Sequence, residues 1–399
     1  MVMAVGALLP GAASAATPVS LVSYGLDSPR GIDFLGASAI VGEAGHGGST
    51  CFAPMGGGPP GAQACVGPSS QISRVNTSTG AHSAITTGLF SLAGGPETLG
   101  VSGISVRNGV VYAIIAGTPQ ELPDAVTLGK QQAGHLIAVN PSNGSWRSVS
   151  SVGAADFEFT KQFTEPDPRW FQTGNPAFFN PNAQEHDANP NDVKATGDGW
   201  LVVDAGANTL TMVGKNGETE VVHHFQFNNP VPFSFPSDSV PTCVAVADGD
   251  VWVGTLSGHL YKVEDETATE VVPRDSNGKA LLTHVTGCTA GKDGTLYLVN
   301  MFGAGAPFQS ATFFRGSVVR FNTDRGTGSE LADSFSSPSL TLPYMPAIGP
   351  DGNLYVTAGT ICNSAGDSPF PPGAPNPCMA GGKPGGKVVR IDLPRPRED

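Results

Sequence analysis

Basic residues are scarce in this chain: 21 Lys and Arg stand against 34 Asp and Glu, a net charge of −13. Such a surface gains nothing from a polyanion, which excludes nucleic acid and anionic membrane as partners. Charge of either sign is thin at 14%, whereas apolar residues reach 39% and glycine adds 53 of 399 residues. That content fills a packed core and excludes disorder over most of the length. No run approaches 18 apolar residues, so no membrane-spanning helix is expected. Common chemical spacings are missing too. Without C-x-x-C there is no support for a zinc ribbon or a thioredoxin-like centre, and without G-x-S-x-G there is no nucleophile elbow. Two near-matches fail on context. GGGPPG (56–61) lies between cysteines and carries consecutive prolines, so it cannot open a helix on a dinucleotide. GGKPGGKV (381–388) ends in Val388 where a phosphate loop needs Ser or Thr.

Glycine and proline, 53 and 34 residues, are abundant and without a collagen period. That much punctuation leaves little room for long helices. The first 15 residues hold an apolar stretch, Met1 to Leu9, and an A-x-A pattern at Ala13-Ser14-Ala15. They read as a signal peptide, with residues 16–399 as the secreted, extracellular chain. Six cysteines fit an oxidising compartment. Cys51 with Cys65 and Cys362 with Cys378 each bracket a short loop rich in Gly and Pro, where a local bridge is expected. Cys243 and Cys288 remain, at matching positions of consecutive repeats, and pair across them.

The repeats organise everything else. CVAVADGDVWVGT (243–255), CTAGKDGTLYLVN (288–300) and PAIGPDGNLYVTA (346–358) align, each with an apolar stretch, Asp-Gly and a strand of aromatic and β-branched residues. VKATGDGWLVVDA (193–205) and GISVRNGVVYAII (103–115) follow the same plan, and GIDFLGASAIVGE (31–43) keeps it without the acidic turn. Asp-Gly and Asn-Gly between such runs signal hairpins. A second strand pair follows most copies, opening for example on HLIAV (135–139) or SVVRF (317–321). Four strands in each of six copies predict an all-β, six-bladed β-propeller of antiparallel blades. The last strand, KVVRIDL (387–393), lacks an outer partner and PVSLVSYGL (18–26) lacks a blade. Pairing them closes the ring and removes its open edge.

Repeat position also nominates a site. Glu43, Asp204 and Asn300 fall at or next to the end of the second strand in copies one, three and five. Their oxygens suit Ca²⁺ if they converge at one mouth of the channel. Glu185 and His186, in EHDANPND (185–192), are candidate bases at that mouth; Asp187, Asn189 and Asn191 alternate like the start of a calcium loop but lack its later positions. The aromatic insertion 157–182 has no counterpart in other copies and either lids the channel or packs across a blade.

NPNDVKATGDGWLVVDAGANTLTMV (189–213), SVPTCVAVADGDVWVGTLSG (239–258), GLDSPRGIDF (25–34) and the Cys-bracketed loop leading into GPSSQISRV (67–75) resemble the recurring motifs of the ScyD/ScyE family. The resemblance covers nearly the whole mature chain and implies an exported propeller similar to the NHL, gluconolactonase and strictosidine-synthase types, the second of which holds a catalytic metal in its ring. It implies no agreed catalytic residues. Two readings follow: a monomeric module binding a small molecule or an extracellular protein, or a Ca²⁺-dependent hydrolase or lyase acting on a lactone or secondary metabolite.

Overall fold

A computed structural model describes residues 17–53, 62–94, 97–173, 175–227, 238–303, 315–367 and 376–394. The signal segment and the GGGPPG motif lie outside the described residues. Among those described, six antiparallel sheets form six blades of four strands each, with two short additions, Thr50–Phe52 and Glu97–Leu99, on blade one. The innermost strands are Pro29–Leu35, Val101–Arg107, Pro190–Ala195, Pro241–Ala247, Val285–Ala290 and Pro343–Ile348. Each packs against the next, and the last against the first, so the ring is complete. Four of the six open on proline, which has no N–H to give a ladder and is tolerated at a strand's first residue.

Closure is as the sequence predicts. Blade six takes three strands from the C-terminal end, Pro343–Ile348, Leu354–Ala358 and Gly386–Ile391, and its outer strand, Val19–Leu26, from the N-terminal end. Val19 faces Ile391, Leu21 faces Val389 and Tyr24 faces Lys387. GGKPGGKV runs straight into that third strand.

Both faces of each second strand are buried, which is why these strands read as continuous apolar runs. In Gly199–Asp204, Trp200 and Val202 pack with Ile114 and Leu136 of blade two. Leu201 and Val203 turn the other way, onto Val244 and Val253 of blade four. Thr295–Asn300 does likewise with Leu296 and Leu298 on one side and Tyr297 and Val299 on the other. A period of two lets one strand serve two interfaces, at about 1.5–3 kcal/mol per fully buried large side chain.

The three disulfides form as expected. Cys51–Cys65 and Cys362–Cys378 close their loops, and Cys243–Cys288 joins the inner strands of blades four and five with Cα atoms 5.6 Å apart. The hairpin turns divide into kinds. Asn108-Gly109 and Asp248-Gly249 both hold positive φ at the two central residues, the I′ geometry; at Asp293-Gly294 and Asp351-Gly352 only the glycine does.

Candidate functional site

Inner strands begin, and second strands end, at one face of the ring, called the upper face below. Glu43, Asp204 and Asn300 each hold the last position of a second strand there. They do one job in three blades. Glu43 Oε2 accepts the backbone N–H of Asp27 at 2.6 Å, Asp204 Oδ1 that of Asn189 at 2.6 Å, and Asn300 Oδ1 that of Thr283 at 3.0 Å. Every donor lies one or two residues ahead of the same blade's inner strand, so the side chain ties the entering loop to its own sheet. Glu43 Oε1 is further used by Ser73 and Gln71, and Asp204 Oδ1 by the N–H groups of Gly206 and Ala207. The Asn300 amide donates to Leu281 O and Ser317 Oγ. These bonds hold Glu43, Asp204 Oδ1 and Asn300 each to its own blade, whereas a shared Ca²⁺ needs oxygens of all three about 2.3–2.6 Å from one point. Among the described residues no three His, Cys, Asp or Glu side chains gather as a metal requires.

Deeper, the axis is plugged. A register shift interrupts every inner strand beside its second residue. Such a bulge re-aims the local side chain, and those second residues, Arg30, Ser102, Asn191, Thr242, Thr286 and Tyr344, are all polar and all buried. They bond around and across the axis. Tyr344 Oη donates to Asn191 Oδ1 at 2.6 Å, joining blades six and three, which stand opposite each other. Arg30 donates to Tyr344 Oη and to Thr98 O, Ser102 to Asn191, and Asn191 Nδ2 to Thr242 O. Thr242 and Thr286 donate to backbone carbonyls of the next blade. Below this ring a cavity of about 170 Å³ is lined by all six inner strands, with Asp33, Asp192 and Lys194 among its polar groups. Asp33 accepts the N–H of Val106, and Asp192 that of Val244, so both carboxylates staple neighbouring blades. Burial lifts Asp192 to about 7.

Above the plug, the loops entering blades three and four and the insertion in blade two bring carboxyls together. Asp187 hydrogen-bonds Glu121, and Glu185 and Asp238 crowd the pair. Burial first, then the Asp187 and Glu185 charges, raises Glu121 to about 8. Glu185, at the rim, rises to about 7 through the protein crowding it and then through Asp238, Asp187 and Glu165. Burial likewise raises Asp187 and Asp238. None of these four carboxyls is in an ion pair with a described Lys or Arg. Aromatic rings flank the group. His186 stacks on Phe157 at 3.9 Å and His224 on Phe163 at 4.3 Å. The helix Val152–Thr160 carries Phe157, and its Asp156 accepts from Thr209 and Thr211 of blade three. The start of the aromatic insertion is thereby packed on a blade, with Glu165 accepting the His186 N–H. Trp170, Ala183 and Phe227 form a small core beside it.

No family model matches the chain, and no curated protein matches it. Solved structures are similar to it at low identity. An oxidoreductase (glucose dehydrogenase) of Thermus thermophilus aligns at 13% identity and TM-score 0.47, over 94% of this chain and 100% of the other. The PQQ-bound aldose sugar dehydrogenase of Streptomyces coelicolor aligns at 11% and 0.44, over 94% and 100%. A protein described as a gluconolactonase aligns at 11% and 0.44, over 96% and 93%. Similarity at this level carries no function, and the ScyD/ScyE resemblance rests on its motifs alone.

Of the residues nominated from sequence, Glu185 and His186 reach the acidic mouth, while Glu43, Asp204 and Asn300 are bound into their blades. The alternating Asp187, Asn189 and Asn191 diverge, to Glu121, to the N–H of Gly117 and to the axial ring. Glu121 and Asp238 escape sequence reading because they sit in insertions outside the repeat; their one signal is an acidic residue in a segment without a counterpart.

Proposed function

We propose that the chain is an exported ligand-binding propeller whose upper face recognises a cationic small molecule bearing an ammonium group. The observation that carries this is the crowding of Glu121, Glu185, Asp187 and Asp238, none of them in an ion pair with a described Lys or Arg, so that two of them retain protons near neutrality. A cation entering the mouth replaces those protons, and the adjoining aromatic faces suit an organic cation better than a hydrated ion. Export is supported by the N-terminal A-x-A pattern and by three disulfides.

Linkage fixes the sign of the pH dependence. Glu121 is raised from 4.5 to about 8, so the folded chain binds more protons than the unfolded one between those values. Its contribution to stability is full below about 4.5 and is lost as pH rises through 8. A bound cation reverses that loss. Calorimetric titration with spermidine is expected to show tighter binding at pH 8.5 than at pH 6, by tenfold or more, with Glu121→Gln and Glu185→Gln weakening the pH 8.5 value. Absence of binding at pH 8.5, or equal affinity at both pH values, would overturn the assignment.

A further inference from the structure

His46 is exposed, yet its setting is rigid. It stands in Gly45-His46-Gly47, just past the second strand of blade one, and both glycines hold positive φ, 83° and 74°. A Cβ at Gly45 would meet Ser69 Oγ at 2.6 Å, and one at Gly47 would meet the Cys65 carbonyl oxygen at 2.3 Å. Only glycine fits on either side. Three hydrogen bonds fix the backbone: His46 N–H to Ser69 Oγ, Gly47 N–H to Ser91 Oγ, and Gly45 N–H to Asp27 O. The imidazole projects from this clamp with 61% of its side chain exposed, and its Nδ1 lies 2.5 Å from Oδ2 of Asp27, whose side chain is 12% exposed. Asp27 is itself anchored, donating its backbone N–H to the buried Glu43. A carboxylate that takes the Nδ1 proton leaves Nε2 as the basic nitrogen of a largely exposed ring.

We propose that His46 and Asp27 form a general-base dyad that hydrolyses neutral carboxylic esters or lactones, with His46 catalytic and Asp27 positioning it. Nε2 takes a proton from water as the water oxygen bonds to the carbonyl carbon, and the carbonyl electron pair moves to its oxygen. Collapse of that intermediate breaks the bond to the alkoxide, which recovers the proton from Nε2. One water is consumed, one acid and one alcohol are formed, and the imidazole ends neutral. The class follows from charge. Asp27 and Glu43 lie beneath the imidazole, and no described Lys or Arg is among the hydrogen-bond partners of the three, so phosphate and sulfate esters are repelled whereas an uncharged acyl group is not. The dyad belongs to blade one and stands independently of the acidic mouth.

Two readouts test it on the full chain. Hydrolysis of 4-nitrophenyl acetate and of δ-valerolactone at pH 7.5 is expected to fall about 100-fold or more in His46→Gln, and at least tenfold in Asp27→Asn with KM nearly unchanged. Nitrogen-15 correlation spectra of the wild type are expected to show His46 protonated at Nδ1 and bare at Nε2. Because His46 is exposed, its Gln variant keeps the fold even if Asp27→Asn does not. Equal rates in wild type and His46→Gln, no hydrolysis of either probe, or a proton on Nε2 would each reduce the pair to a loop clip and overturn the proposal.

Discussion

Glu43 shows how one side chain in a repeat can look like a ligand and act as a fastener. Its two oxygens serve Asp27 N–H, Ser73 and Gln71, and it is 1% exposed. Removing them leaves buried donors without acceptors, a cost of about 1–3 kcal/mol for each donor stranded. Glu43→Ala is therefore expected to destabilise the chain by about 3 kcal/mol, read as a lower urea midpoint with unchanged slope. Glu43→Gln, which keeps one acceptor, is expected to lose about half as much. A Glu43→Ala midpoint equal to the wild type's would return the residue to the candidate ligands. Sequence could place Glu43, Asp204 and Asn300 at one repeat position, since position follows from alignment. It could not say where their oxygens point, because that is set by loop N–H groups whose approach depends on each blade's own entry path.

Among elements, the inner strands carry the strongest coupling between blades. Their bulges turn one polar side chain per blade toward the axis, and a disulfide joins Cys243 to Cys288 across blades four and five. That bridge spans 45 residues of sequence, against 14 for Cys51–Cys65. On loop-closure entropy it contributes about 4 kcal/mol, and the shorter bridge about 3. Replacing Cys243 and Cys288 together by serine is thus expected to lower stability more than replacing Cys51 and Cys65, as measured by urea unfolding of the two double variants. The reverse order would mean that blades four and five hold together without the bridge. The hairpins themselves were legible, because Asn-Gly and Asp-Gly announce a turn locally. The bulges were not: a bulge is a mismatch between two strands, and neither strand records it alone. The helix Val152–Thr160 was equally hidden, its Phe-rich sequence being placed by docking on blade three rather than by its own periodicity.

At the scale of the whole molecule, the ring is a closed set of interfaces, and its weakest logical point is where the two ends of the chain meet. The strand Val19–Leu26 covers the edge that Gly386–Ile391 would otherwise present. Deleting residues 17–26 is expected to lower the melting temperature of the entire domain in a single transition, as calorimetry would show. An unchanged melting temperature would mean that blade six stands on three strands. The amino-acid sequence by itself determined the number of blades, their four-strand plan, the closing strand and the cysteine pairing, because hairpin turns, apolar runs and repeat register are all written in local order along the chain. Only the tertiary structure decided that the strand-end oxygens face into their blades, that six second residues plug the axis, that Glu121 meets Asp187, and that Asp27 holds His46. Each of those is a meeting of side chains from segments a repeat does not align, and such a meeting is fixed by how loops of unequal length pack over the same ring.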